Sequence, residues 1–102
     1  MATTKAYRDF ILEQLGSVAG ISCRAMMGEY ILYCDGRIFG GIYDDRLLVK
    51  DIAEAAAYMP DARREIPFPG GKPMLLVEEV DDRAFLTGLV DAMFPALPLP
   101  KK

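Results

Sequence analysis

The sequence contains no histidine, which removes the commonest general base and the commonest zinc ligand from its chemistry. Its two cysteines, Cys23 and Cys34, are too few and too irregularly spaced for a disulfide framework or a metal knuckle. In a reducing compartment they are expected to be free thiols, buried as small hydrophobes. The two serines, Ser17 and Ser22, stand in no nucleophile context. Gly40-Gly41 and Gly70-Gly71 fit neither a phosphate loop nor a dinucleotide fingerprint. The carboxylate pairs Asp44-Asp45, Glu78-Glu79 and Asp81-Asp82 fall at turns and caps, where such residues are solvated or capping. No catalytic, metal-binding or cofactor-binding residue is therefore assigned, no cofactor is expected, and the chain is expected not to be an enzyme.

Long apolar runs are missing too. No stretch approaches the roughly 18 consecutive apolar residues of a membrane span. Met1 to Lys5 is polar and has no apolar signal core, so a cytoplasmic protein without membrane contact is expected. A basic excess is also lacking, since the formal net charge is −3. Residues 1–50 carry six basic and six acidic side chains, residues 51–102 six and nine. Duplex DNA is gripped by basic stripes that release counterions, so direct duplex binding is not expected.

What the chain does hold is an ordinary globular composition, with 52% hydrophobic and 26% charged residues over 102 positions, enough for one small core. Thr3 and Thr4 offer N-caps for a helix reaching about Leu15, with Tyr7, Phe10, Ile11 and Leu15 on one stripe and Gly16 ending it in the left-handed conformation. Ile21 to Met27 reads as extended. Glu29 to Cys34 and Arg37 to Tyr43 flank Asp35-Gly36, a type I′ hairpin signal. A second tight turn at Asp44-Asp45 leads into Arg46 to Lys50.

Strict alternation from these turns pairs Cys34 with Arg37, Leu32 with Phe39, Tyr30 with Gly41 and Gly41 with Leu48. One face then holds Ile31, Tyr33, Ile38, Gly40, Ile42, Leu47 and Val49 and is expected to pack on the helices through Phe10, Ile11, Phe85 and Leu89. The other holds Tyr30, Leu32, Cys34, Arg37, Phe39, Gly41, Tyr43, Arg46, Leu48 and Lys50. This mixed aromatic and basic face is the expected meeting surface, unless the tail or residues 60–73 cover its aromatics.

Further on, Asp51 is expected to cap a helix over about Ile52 to Met59, ended by Pro60. Residues 60–73, rich in Pro and Gly, form an irregular crossing. Met74 to Val77 is a short strand, and Asp81 or Asp82 caps a last helix to about Phe94. The order α-β-β-β-β-α-β-α predicts an α+β two-layer sandwich, an antiparallel sheet with helices on one face. The predicted domain is residues 1–94, followed by a loose Pro-rich tail over residues 95–102.

The segment Arg24-Ala25-Met26-Met27-Gly28-Glu29-Tyr30-Ile31-Leu32-Tyr33 resembles the R-x-M-[FM]-G-x-Y-x-L-Y signature of the TfoX N-terminal domain family, the Sxy-type competence regulators. The resemblance continues through Asp35 to Phe39 and Asp44 to Lys50. It resumes at Pro67 to Met74 and at Asp81-Asp82-Arg83. It implies an α+β fold and, for the full-length members, bacterial transcription regulators that switch on DNA-uptake genes beside the cyclic-AMP receptor protein. Those members carry a further C-terminal domain with helix-hairpin-helix-like character, which is not expected here. The expectation is therefore a stand-alone N-terminal domain, with the competence role not carried over whole.

Within the signature, Gly28 is expected to permit a backbone bend. Arg24 is expected to pair with an acidic neighbour such as Glu29, or to contact a partner directly. The candidate partner-binding set is Arg24, Tyr30, Arg37, Phe39, Tyr43, Arg46 and Lys50. The leading expectation is a regulatory, protein-interaction module whose partner is another protein or a second copy. The alternatives are a weak single-stranded nucleic-acid binder through the same face, and a small-ligand pocket or degenerate enzyme between the sheet and residues 60–73.

Overall fold

The computed structural model describes residues 3–99. Helix α1 spans Lys5–Gln14, and Thr4 caps it by accepting from the Tyr7 N–H at 3.1 Å. Gly16 stays outside the left-handed region; the next glycine in the chain, Gly20, takes a positive φ of 81°. Four strands follow: β1 (Ile21–Met26), β2 (Glu29–Cys34), β3 (Arg37–Ile42) and β4 (Leu47–Val49). Then come α2 (Ala53–Tyr58), β5 (Arg64–Glu65), β6 (Met74–Val77) and α3 (Arg83–Met93), with a 3-10 turn at Phe94–Ala96. The strands form one antiparallel sheet in the order β1-β2-β3-β4-β6-β5. One apolar cluster joins a single face of that sheet to all three helices, which is the two-layer α+β sandwich expected from sequence.

Three consecutive two-residue turns build the sheet's first four strands. Their central pairs are Met27-Gly28, Asp35-Gly36 and Asp44-Asp45, and all six residues have positive φ, as type I′ turns require. The Asp44-Asp45 turn has no glycine, and side chains offset its unfavourable backbone. Glu29 Oε1 accepts from the Asp44 N–H at 3.1 Å, the Thr3 N–H at 2.9 Å and the Thr3 hydroxyl at 2.7 Å. Asp45 Oδ1 accepts from the Thr4 N–H at 2.9 Å. The start of the chain is thereby tied to the third turn, and Glu29 is occupied there rather than paired with Arg24.

A β-bulge decides which residues enter the core. Tyr33 pairs with Ile38 but Leu32 pairs with Gly40, so Phe39 is an extra residue in β3. Phe39 and Ile42 are three positions apart, and unbroken alternation would send them to opposite faces. The bulge lets both point at the helices, with exposures of 1% and 0%. The expected register is therefore corrected at Leu32 and Tyr30, which pair with Gly40 and Ile42. The Cys34–Arg37 and Gly41–Leu48 pairs stand.

Tyr30, Leu32 and Cys34 consequently belong to the core, while Ile31 and Ile38, expected inside, lie on the opposite face. Ile42, Leu47 and Val49 are buried as expected, and so are Ile11 and Leu89, but Phe10 is exposed. Gly40 and Gly41 serve close approaches. A Cβ on Gly40 would lie 2.3 Å from the Leu48 carbonyl oxygen, and one on Gly41 2.5 Å from the Tyr43 ring.

Other boundaries shift for local reasons. Asp51 does not cap α2; it accepts from Arg64 at 2.6 and 3.2 Å, and α2 begins without a side-chain cap. Arg64–Glu65 forms the unforeseen strand β5 against β6. Asp82 is the residue that caps α3, accepting from the Phe85 N–H at 3.0 Å. The first part of the segment expected to be a loose tail packs on the domain. Leu97 is buried in the core, and Arg37 donates to the Phe94 and Leu97 carbonyls at 3.4 and 3.5 Å. Residues 100–102 of the expected tail lie outside the described residues.

Candidate functional site

The face of the sheet turned away from the helices is the candidate site. The register places Arg24, Ile31, Gly41 and Leu48 side by side across β1 to β4, with Ser22, Tyr33 and Ile38 in the next row. The crossing segment lies over one end of this face. Phe68 meets Tyr43 with ring centroids 6.2 Å apart, and Tyr43 folds over Gly41, the residue whose missing side chain leaves room for the ring. Between this cover and the sheet is a hollow of about 450 Å³ lined by residues including Ile31, Ile38, Tyr43, Lys50, Phe68, Lys72 and Met74. A second hollow of about 480 Å³ continues towards β1 and is lined by Arg24, Tyr33, Gly36, Ile38, Lys50, Pro98 and Leu99. Ile38 and Lys50 line both. Together they form one groove across the sheet, within the size range of ligand sites.

The seven candidate partner-binding residues are divided by this geometry. Arg24 and Lys50 line the groove. Tyr43 lines its covered end and is 6% exposed. Burial, and after it the charge of Glu29, pushes the Tyr43 phenol pKa up, so this hydroxyl stays protonated to higher pH than a free tyrosine.

Tyr30 and Phe39 are excluded by burial in the helix-side core, and their assignment to a meeting surface is corrected by the bulge described above. Arg37 is also on the helix side, its guanidinium 4.4 Å from the centre of the Phe94 ring. Arg46 is consumed structurally: it donates to Glu65 at 2.6 Å and to the Tyr43, Ile66 and Pro67 carbonyls. It fixes the crossing segment to the sheet, leaving Arg24, Lys50 and the unforeseen Lys72 as the groove's cations.

Sequence reasoning missed Ile38, Tyr33, Phe68, Lys72 and Met74 as groove residues. Two signals pointed to them: the odd spacing of Phe39 and Ile42 around Gly40-Gly41, and the Pro-Phe-Pro-Gly-Gly-Lys-Pro block from Pro67 to Pro73. Both cysteines are free, Cys23 half-buried and Cys34 buried. Burial, then the charges of Asp35 and Asp91, raises the Cys34 thiol pKa. Among the described residues no cluster of three or more potential metal ligands occurs, and no helix is long and apolar enough to cross a membrane.

The signature residues now have physical roles. Met27 and Gly28 make the β1–β2 turn, Tyr30 and Leu32 enter the core, and Arg24 and Tyr33 face the groove. This stretch lies within the residues, 13–86, that match the profile of the TfoX N-terminal domain. The chain is also similar to an uncharacterized 12.7 kDa protein in the trpE 5′ region of Spirochaeta aurantia. The identity is 30% over 102 residues, covering 99% of this chain and 89% of that protein. No solved structure matches significantly. A profile match running from the end of α1 into α3, together with that end-to-end similarity, shows that the chain belongs to the TfoX N-terminal domain family.

Proposed function

We propose that this protein is a regulatory module that acts by binding another protein through the groove on the open face of its sheet, without catalysing a reaction. The observation that carries the reading is the incomplete cover of that face. Ile38 is 39% exposed and Phe68 48% exposed, beside Arg24 and Lys50, neither of which makes an ion pair among the described residues. Apolar side chains rimmed by unpaired charges characterise interaction surfaces. Family membership supports a regulatory kind of domain. Through that partner the module acts in transcription or competence control.

The single-stranded nucleic-acid reading loses two of its three stacking platforms, because Tyr30 and Phe39 are buried. Self-association retains a specific support in β1, a six-residue strand at the sheet's edge that, among the described residues, pairs with β2 alone.

The test is affinity capture from native cytoplasm, with and without nuclease, using the protein and its Ile38→Asp variant. A partner retained after nuclease and lost with Ile38→Asp is the expected result. Equal capture by both proteins refutes the assigned surface, and nuclease-sensitive capture refutes a protein partner. Light scattering of the isolated protein tests self-association directly.

A further inference from the structure

We infer that the groove selects an acidic segment of the partner, one whose apolar side chains alternate with carboxylates; this rests on the groove being the docking face. The protein as a whole is acidic, at −3, yet the side chains lining the groove have the opposite balance. Arg24, Lys50 and Lys72 line its two halves, and Asp51 is the only carboxylate among the lining residues. Asp51 is already neutralised by Arg64, with a contact of 2.6 Å. None of the three cations makes a side-chain hydrogen bond or ion pair among the described residues.

Lys50 is the informative one. It is half-buried, lines both halves and has no counter-ion among the described residues. Partly desolvated charge without a partner is unfavourable, and a ligand carboxylate placed there relieves it. The floor between the cations is aliphatic, built from Ile31, Ile38 and Met74, with Leu99 at the far end. Of the three aromatics that also line the groove, Tyr43 is buried at the covered end, and Tyr33 and Phe68 stand in different halves; a single strand stacking on those two rings is the competing occupant, and the oligo-dT probe tests it.

Charge alternating with apolar groups along an extended chain matches a groove of this kind. Every second side chain of an extended segment points the same way. The carboxylates therefore reach the rim cations while apolar groups settle on the floor.

The experiment is fluorescence anisotropy with three labelled probes: a nonapeptide alternating Glu and Leu, its Lys and Leu counterpart, and a nine-nucleotide oligo-dT. Each is titrated with the protein and with its Lys50→Glu and Ile38→Asp variants, whose melting temperatures are checked first. The Glu–Leu peptide is expected to bind at least tenfold more tightly than either other probe and to weaken at high salt. Lys50→Glu should cost it about tenfold, one opposed charge pair at this exposure, while improving binding of the Lys–Leu peptide.

Equal affinity for both peptides, tighter binding of oligo-dT, or no binding of the Glu–Leu peptide overturns the inference. Loss of binding with Ile38→Asp but not with Lys50→Glu also overturns the acidic preference, yet leaves the groove as the docking face. Indifference to both substitutions overturns the docking face as well.

Discussion

Replacing Phe39 by Ala tests the bulge on which the assignment of faces depends. The Phe39 side chain is 1% exposed and packs in the cluster that joins the sheet to the helices. Removing a buried phenyl ring loses its transfer energy and leaves a cavity, together costing about 3–5 kcal/mol. At about 2.1 cal/mol/K of unfolding entropy per residue, 102 residues give roughly 0.21 kcal/mol/K. A loss of about 4 kcal/mol therefore lowers the melting temperature by about 19 °C. The neighbouring Ile38→Ala is the control. Ile38 is 39% exposed on the opposite face, and its truncation should cost less than about 1 kcal/mol, or about 5 °C. Thermal unfolding followed by far-UV circular dichroism measures both. Similar shifts for the two variants, or a larger one for Ile38→Ala, would refute the bulge and return the sheet to unbroken alternation.

Glu29→Ala removes three hydrogen bonds at the third turn and should cost about 1–3 kcal/mol in chemical denaturation, with faster exchange of the Asp44 amide proton. Cys23 should react with a thiol reagent in the native protein, whereas Cys34, 5% exposed, should react only on unfolding. The pH dependence follows from three raised pKa values: Cys34 and Tyr7, through burial and nearby acids, and Tyr43, through burial and then Glu29. Each group holds its proton more tightly when folded, so this part of the stability is complete below the unfolded thiol pKa of about 8.5. It falls as pH rises above that value and then above the ordinary tyrosine pKa of about 10, and a melting temperature that rises with pH there would contradict the sign.

The fold was legible where the local signals were strong. Asp35-Gly36 announces its turn because Asp and Gly tolerate the positive φ that a type I′ hairpin demands. Asp82 announces α3 because its carboxylate can take an N–H of the first turn. Met27-Gly28 was harder to read as a hairpin turn, since methionine rarely adopts the φ of 52° found there. The two-residue strand β5 carries too little pattern to be read at all, and it exists because β6 offers it an edge.

The candidate site was legible only in part, and the reason lies in the distance from Phe39 to Ile42. Both are strong core residues, and no strictly alternating strand can bury both from three positions apart. Alternation forced a choice; it kept Ile42 and so turned Phe39, Leu32 and Tyr30 outward with their basic neighbours. The folded chain has a third option, a single extra residue in β3, and it gains the burial of both side chains by bending the strand. The adjacent Gly40 is the physical trace of that solution, because its missing side chain admits the Leu48 carbonyl. Once β3 is bent this way, Ile38 and Tyr33 must face the solvent side with Arg24 and Lys50. The groove is thus a consequence of filling the core: the same residue count that buries Phe39 and Ile42 leaves an aliphatic floor uncovered between cations that make no ion pair among the described residues.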